Sequence, residues 1–191
     1  MYAKDFPLFL GLLSPKKEDR ILDVGAGLGT IANSLTEFSE EVFALEPNDE
    51  KLEYTKAKHS AVKAFSATAA QIPFPTSYFD KLYALVSFHH FPDQGDALEE
   101  FRRVTKKDGL ILIQELDPND DGKFLAFFEK KIVRNKTTFL SPSQLDELVS
   151  SRGFKTIEIK KGNRGYFLIA QNVKSSDEEK GWIDTDSPKF T

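Results

Sequence analysis

Three glycines at alternate positions, Gly25, Gly27 and Gly29, follow an acidic residue, Asp23, in the run Ile21-Leu-Asp-Val-Gly-Ala-Gly-Leu-Gly-Thr30. Removing side chains from so short a turn lets the backbone approach a ligand closely and adopt positive φ. A second acid, Glu46, closes the next apolar run, 21 residues after Gly25. From there a carboxylate can accept hydrogen bonds from both hydroxyls of a ribose; its blander use is as a helix cap or a solvated charge. The spacing is G-x-G-x-G. A dinucleotide fingerprint wants its third glycine three positions after the second, and that position here is Thr30. Asp23 also suits a cationic or amine-bearing ligand better than a pyrophosphate. Farther along stand His89 and His90, the side chains best suited to move a proton near neutral pH. The competing reading is structural, one ring capping a strand and the other packing. Neighbours on a strand point to opposite faces, so at most one of the two would meet a substrate.

The elements that must position these groups follow from periodicity. Arg20 to Gly25, Glu41 to Glu46, Ala61 to Ser66, Phe79 to Ser87 and Leu110 to Glu115 read as strands, the last entered through a Lys107-Asp108-Gly109 turn. Between them, Thr30 to Phe38 carries Ile31, Leu35 and Phe38 on one helical face. Asp49 to His59 offers Leu52 and Tyr54 for packing, and Asp93 to Thr105 turns Ala97, Leu98, Phe101 and Val104 inward. Ser141-Pro142 is a helix start that runs to Arg152 and stops at Gly153. Phe154 to Lys160 and Gly165 to Asn172 form a terminal hairpin. Repeated βα units require a parallel sheet with helices on both faces. In such a sheet the ligand lies beyond the C-terminal strand ends at the switch point, which is the turn after the first strand.

At 191 residues the chain suits one domain with a sizeable core. We expect that domain over 1–173, with a polar, acidic tail over 174–191 in which Trp182 and Ile183 could dock. The formal net charge of −4 gives no global footprint for nucleic acid. There is no cysteine, which excludes disulfides, thiolate nucleophiles, Cys-based zinc sites and an RNA methylase working through a cysteine adduct. The apolar stretch Phe6 to Leu13 is far short of the roughly 20 residues of a membrane span. It lacks a small-residue cleavage site, so it reads as a packed amphipathic helix of a cytoplasmic protein.

Taken together the motifs resemble a family. The chain looks like a class I S-adenosylmethionine-dependent methyltransferase, of the broad type 11 group that includes the ubiquinone/menaquinone C-methyltransferases. ILDVGAGLGTIA (21–32) resembles the family's glycine motif, and VFALEPNDEKLEYTKAK (42–58) its ribose-binding strand and helix. AAQIPFPTSYFDKLYALVSFHHFPD (69–93), ALEEFRRVTKKDGLILIQEL (97–116) and SPSQLDELVSSRGF (141–154) resemble the following blocks, so the likeness covers about 15–172. It implies an α/β fold: a doubly wound, Rossmann-like sheet of seven mostly parallel strands ending in an antiparallel hairpin. It implies S-adenosylmethionine as cofactor. Asp23, Gly25, Ala26, Gly27 and Gly29 would then hold the methionine end and Glu46 the ribose, with Pro47 and Asn48 flanking the adenosine. Ala69 and Ala70 would line the adenine, and Val86, Ser87 and Phe88 would lie near the transferred methyl. Thr68 stands where the family usually has an acid for the adenine amino group, and a hydroxyl accepts more weakly than a carboxylate. No metal site is expected.

Methyl transfer needs a base only when the acceptor atom carries a proton, and His89 and His90 are the candidates for it. The acceptor region should be the insert from Leu116 to Leu140. It is rich in phenylalanine and carries Lys123, Lys130, Lys131, Arg134 and Lys136. That pattern is either a helix with a solvated basic face or an apolar pocket with a cationic rim. The leading expectation is C- or O-methylation of a small molecule. The alternatives are RNA methylation through the basic insert, a non-catalytic cofactor-binding partner protein, and a nicotinamide oxidoreductase. The Asn-Pro-Pro-Tyr type motif of exocyclic-amine DNA methylases is absent, with Ser87-Phe-His-His in its place.

Overall fold

Apolar residues on both faces of the central strands require cover on both sides, and that requirement shapes the chain. The structure is a computed structural model that describes residues 2–120 and 137–173. Seven strands form one sheet: β1 (Arg20–Val24), β2 (Glu41–Leu45), β3 (Lys63–Phe65), β4 (Phe79–Leu85), β5 (Thr105–Glu115), β6 (Phe154–Lys161) and β7 (Tyr166–Asn172). Their order is β3-β2-β1-β4-β5-β7-β6. The first five run parallel, and β7 runs antiparallel to both β5 and β6. This is the doubly wound, seven-stranded, mostly parallel sheet that the βα repeats and terminal hairpin imply. The chain order reverses between β1 and β4, which opens a crevice at their C-terminal ends.

The helices are α1 (Tyr2–Leu13), α2 (Thr30–Leu35), α3 (Asp49–Lys58), α4 (Gln94–Val104) and α5 (Pro142–Ser151). Alternate strand residues feed two cores. Ile21, Val42, Ala44, Tyr83, Leu85 and Leu112 pack with Phe9 and Leu13 of α1 and with Ala32 and Leu35 of α2. Leu22, Val24, Phe43, Leu82, Ala84 and Ile111 face the other way, against Ala97, Leu98, Phe101 and Val104 of α4 and Leu145 and Val149 of α5. Asp23 alternates onto the Ile21 face, so a carboxylate stands where the pattern calls for an apolar side chain. The first helix is further tied down by the carboxylate of Asp5, which accepts from the Asn163 amide at 2.7 Å and from Gln114 Nε2 at 3.3 Å. Among the described residues no helix is long and apolar enough to cross a membrane.

Several expected details shift. α2 ends at Leu35, so Phe38 leaves the helical face and is exposed. On α3 Leu52 is buried as expected, but Tyr54 is exposed and Thr55 takes the inward place; the buried face follows the i, i+3 step from Leu52. β5 begins at Thr105, directly after α4, and the expected Lys107-Asp108-Gly109 turn lies within it as an irregularity in the pairing with β4. Asp108 has φ 61° there. Residues 88–90 form a 3-10 turn and not the end of a strand. The basic insert residues Lys123, Lys130, Lys131, Arg134 and Lys136, and the tail with Trp182 and Ile183, lie outside the described residues.

The start of α5 gives a clean stability test. Ser141 Oγ accepts from the Gln144 amide at 3.4 Å and Gln144 Oε1 accepts from the Ser141 amide at 2.9 Å, a capping box with Pro142 in the first turn. Ser141→Ala should cost about 1 kcal/mol, read as a lower urea midpoint at unchanged slope.

Candidate functional site

Each glycine of the first turn answers a different steric demand. Gly25, at φ 78°, lies against Ser87, whose Cβ would be 2.7 Å from a side-chain carbon added there. Ser87 Oγ in turn donates to the Val24 carbonyl at 2.9 Å, so the ends of β1 and β4 are stitched where the sheet opens. Gly27, at φ 58°, faces open space. Gly29, at φ 67°, caps α2 and packs on Thr55, 2.5 Å from where a Cβ would lie. The third glycine therefore serves the contact between α2 and α3.

The amides of the turn are mostly satisfied inside the protein. Gly25 and Ala26 donate to the Leu45 carbonyl at 2.9 and 3.0 Å, and Gly29 donates to Ala26 at 3.0 Å. Gly27 donates to Glu46 Oε2 at 2.8 Å. The other Glu46 oxygen accepts from the Asn48 amide at 3.0 Å. Glu46 is thus pinned by two backbone donors, and each oxygen keeps a free lone pair for a further donor. The helix that follows has only six residues, so its dipole adds little for an anion.

A cavity of about 820 Å³ opens at this point. It is lined by Asp23, Gly25, Ala26, Gly27 and Glu46, by Pro47, Ala67, Thr68 and Ala69, and by Leu85, Val86, Ser87 and His90. Leu28, Ile31, Phe91 and Pro92 add apolar lining, and Lys51 joins it from the first turn of α3. Val86 holds φ 51°, an outlier for a β-branched residue and a mark of local strain at a site.

Burial pushes the Asp23 carboxyl up to about 7, with the Glu46 charge adding to it. Tyr83 pairs with Asp23 across β1 and β4. Its buried hydroxyl offsets part of the rise although it falls short of hydrogen-bond geometry. His90 is pushed down to about 4, first by partial burial and then by His89 and Lys51, although the residue is exposed to solvent.

Of the residues expected to bind cofactor, Asp23, Gly25, Ala26, Gly27, Glu46, Pro47, Thr68, Ala69 and Ser87 all line this one cavity. Gly29 does not, for the packing reason given, and neither do Asn48, which caps α3, the exposed Ala70, or the buried core residue Phe88. The two histidines also separate. His90 lines the cavity. His89 turns inward, with Nδ1 2.8 Å from Glu115 Oε2 and its ring stacked on Phe139 at 4.3 Å. Sequence reasoning missed Lys51, Phe91 and Pro92 as wall residues. Lys51 was within reach of it, because a helix that starts just after a ribose-type acid turns its first residues toward the ligand end of the sheet.

Comparison with known proteins bears on the family and the fold. The family model described as "Methyltransferase domain" matches residues 22–113. Over that stretch, just under half of its length, the chain is similar to this methyltransferase family. It is 30% identical over 124 residues to the uncharacterized methyltransferase YcgJ of Bacillus subtilis (strain 168), which covers 62% of this chain and 49% of that protein, about half its length. It is 26% identical over 161 residues to the demethylmenaquinone methyltransferase of Thermotoga maritima, which covers 72% of this chain and 70% of that one. The fold is similar to that of an S-adenosylmethionine-dependent methyltransferase from Mesorhizobium loti, with a TM-score of 0.76 at 13% identity over 88% of this chain and 98% of that one.

In this domain the Asp23 carboxyl should leave a pH signature. The native state holds its proton up to about pH 7, whereas an unfolded Asp releases it near ~4. Between those values the native state binds more protons, so this group's contribution makes stability fall as pH rises, and the loss is complete above about pH 7. In thermal melts of the free protein, Asp23→Asn should gain on wild type as pH rises from about 5 to 8. A constant gap would show that the carboxyl is already ionised at the lower pH.

Proposed function

We propose that this chain transfers the methyl group of S-adenosylmethionine to a small-molecule acceptor by C- or O-methylation. The observation that carries this reading is the pair of buried carboxylates, Asp23 and Glu46, at a glycine turn whose amides are mostly committed internally. Such a turn repels a pyrophosphate and attracts a cationic amino-acid nucleoside. When bound, S-adenosylmethionine supplies a methyl on a sulfonium, transferred in line with loss of a neutral thioether.

The protein's part is then positioning and exclusion of water. Asp23 faces the ammonium end, and Gly25, Ala26 and Gly27 permit close approach. Glu46, already oriented by Gly27 and Asn48, accepts from the ribose hydroxyls. Pro47, Thr68 and Ala69 flank the base, with Thr68 offering a hydroxyl where relatives of this type carry an acid. Ser87, fixed by Val24, shapes the wall near the methyl. His90 is the ring that can meet the acceptor. It stays neutral above about pH 4, so it accepts a hydrogen bond throughout the neutral range but is a weak base. His90 therefore orients an acceptor hydroxyl more than it deprotonates one.

The small-molecule assignment rests on the apolar lining that Leu28, Ile31, Phe91 and Pro92 add to the cavity. One relative is named for demethylmenaquinone, a small molecule.

Calorimetry tests the donor half. S-adenosylmethionine and S-adenosylhomocysteine should both bind, NAD should not, and Glu46→Ala should weaken S-adenosylhomocysteine binding at least about tenfold through loss of charge-assisted hydrogen bonds. Binding of NAD without S-adenosylhomocysteine would overturn the assignment. Tight, steeply salt-dependent tRNA binding would move the acceptor to RNA. In an NMR titration the His90 imidazole should remain neutral down to about pH 5; protonation near 6.5 would mean a stronger base at the cavity wall than the structure implies.

A further inference from the structure

The turn that carries His90 and Phe91 into the cavity is held from behind by a buried polar knot. Glu115, at the end of β5, is 1% exposed and His89 is 5% exposed. The Glu115 carboxylate accepts from the His89 amide at 3.1 Å, from the Leu116 amide at 3.3 Å and from the His89 ring at Nδ1. The same histidine holds the segment leading into α5. Its carbonyl accepts from the Thr138 amide at 3.2 Å, and its ring stacks on Phe139. Gln94 Nε2 spans the two sides by donating to the carbonyls of Phe88 and Thr138, and Tyr166 donates to the Leu140 carbonyl at 2.8 Å. The rings of His89 and His90 lie 4.0 Å apart.

We propose that His89 is a positioning residue that joins the cavity wall at His90–Pro92 to two distant stretches of chain, Glu115–Leu116 after β5 and Thr138–Leu140 before α5. Three links pass through this one side chain and its peptide, so the three stretches move together. An occupant that orders His90 and Phe91 also orders the other two, although neither Leu116 nor Leu140 lines the cavity. This goes beyond the methyltransferase reading and rests on it only in taking the cavity as the cofactor site. It also assigns the histidine pair two separate tasks. His90 meets the ligand, and His89 transmits its presence to the acceptor side of the sheet.

Amide hydrogen exchange with S-adenosylhomocysteine as probe tests this, with calorimetry on the same samples. In wild type the ligand should slow exchange at 115–120 and at 137–140, as well as around the glycine turn. In His89→Leu, affinity should stay within about threefold while the slowing at 137–140 is lost. His89→Gln, which can still donate to Glu115, should keep the slowing at 115–120 that His89→Leu loses. Phe139→Ala, a milder change at a partly buried position, should weaken the response at 137–140 alone and serves if His89→Leu does not fold. Retained slowing in His89→Leu or in Phe139→Ala would overturn the proposal. Equal loss at 115–120 in the Leu and Gln variants would reduce His89 to packing, and would overturn it as well. Failure of wild type to bind S-adenosylhomocysteine would sink the functional reading first, which calorimetry reports independently of exchange.

Discussion

A carboxylate buried at the end of the central strand without a cation is the constraint around which the site is built. Asp23 lies on a face that otherwise carries Ile21, Val42 and Leu112, and Glu46 stands at the end of the adjacent strand. Burial in low dielectric disfavours ionisation and the nearby Glu46 charge adds to it, so the Asp23 carboxyl is lifted to about 7. Among the described residues no ion pair neutralises Asp23. A positively charged ligand would relieve that burden, so part of the binding energy is stored in the free protein as unfavourable electrostatics. Specificity follows from the same source, since an anionic ligand would meet repulsion where a dinucleotide fold offers free amides.

The remaining architecture keeps that charge in place. Parallel pairing of β1 with both β2 and β4 sets Asp23 opposite Ala44 and Tyr83. The close approach of Gly25 to Ser87, with the Ser87 hydroxyl on Val24, fixes how far the two strands diverge. The Glu46 carboxylate then bridges the loop after β1 to the loop after β2 through Gly27 and Asn48. Glycine is needed twice here for unlike reasons: at Gly25 a side chain would strike a neighbouring strand end, and at Gly29 it would strike Thr55 on another helix. One sequence motif thus couples a binding surface to the packing of α2 on α3.

The sequence made the succession of strands and helices, the hairpin and most of the cavity lining legible, because each rests on local signals. Apolar runs closed by glycine or acid mark parallel strands, and the acid spacing marks two neighbouring strand ends. What it hid depends on non-local contacts. Tyr54 and Thr55 are adjacent, and only the packing partner Gly29 decides that Thr55 faces inward. The segment before Leu110 reads as a free turn, yet pairing of Thr105 with Phe79 draws it into β5. The two histidines look alike on paper. The partner that separates them, Glu115, lies 26 residues away.

That separation has a chemical consequence. A histidine held by a buried carboxylate is the usual arrangement of an activated base, so His89 would be the natural suspect on hydrogen-bonding grounds alone. Geometry assigns it differently, because it lies behind the cavity wall and its ring is covered by Phe139. The histidine that lines the cavity, His90, makes no carboxylate pair among the described residues and is driven toward the weakly basic end of its range by partial burial and by its neighbours. The buried carboxylate partner and the place on the cavity wall therefore fall to different residues. Under the proposed methyl transfer such a division is sufficient, because a highly activated donor needs alignment far more than the acceptor needs a strong base.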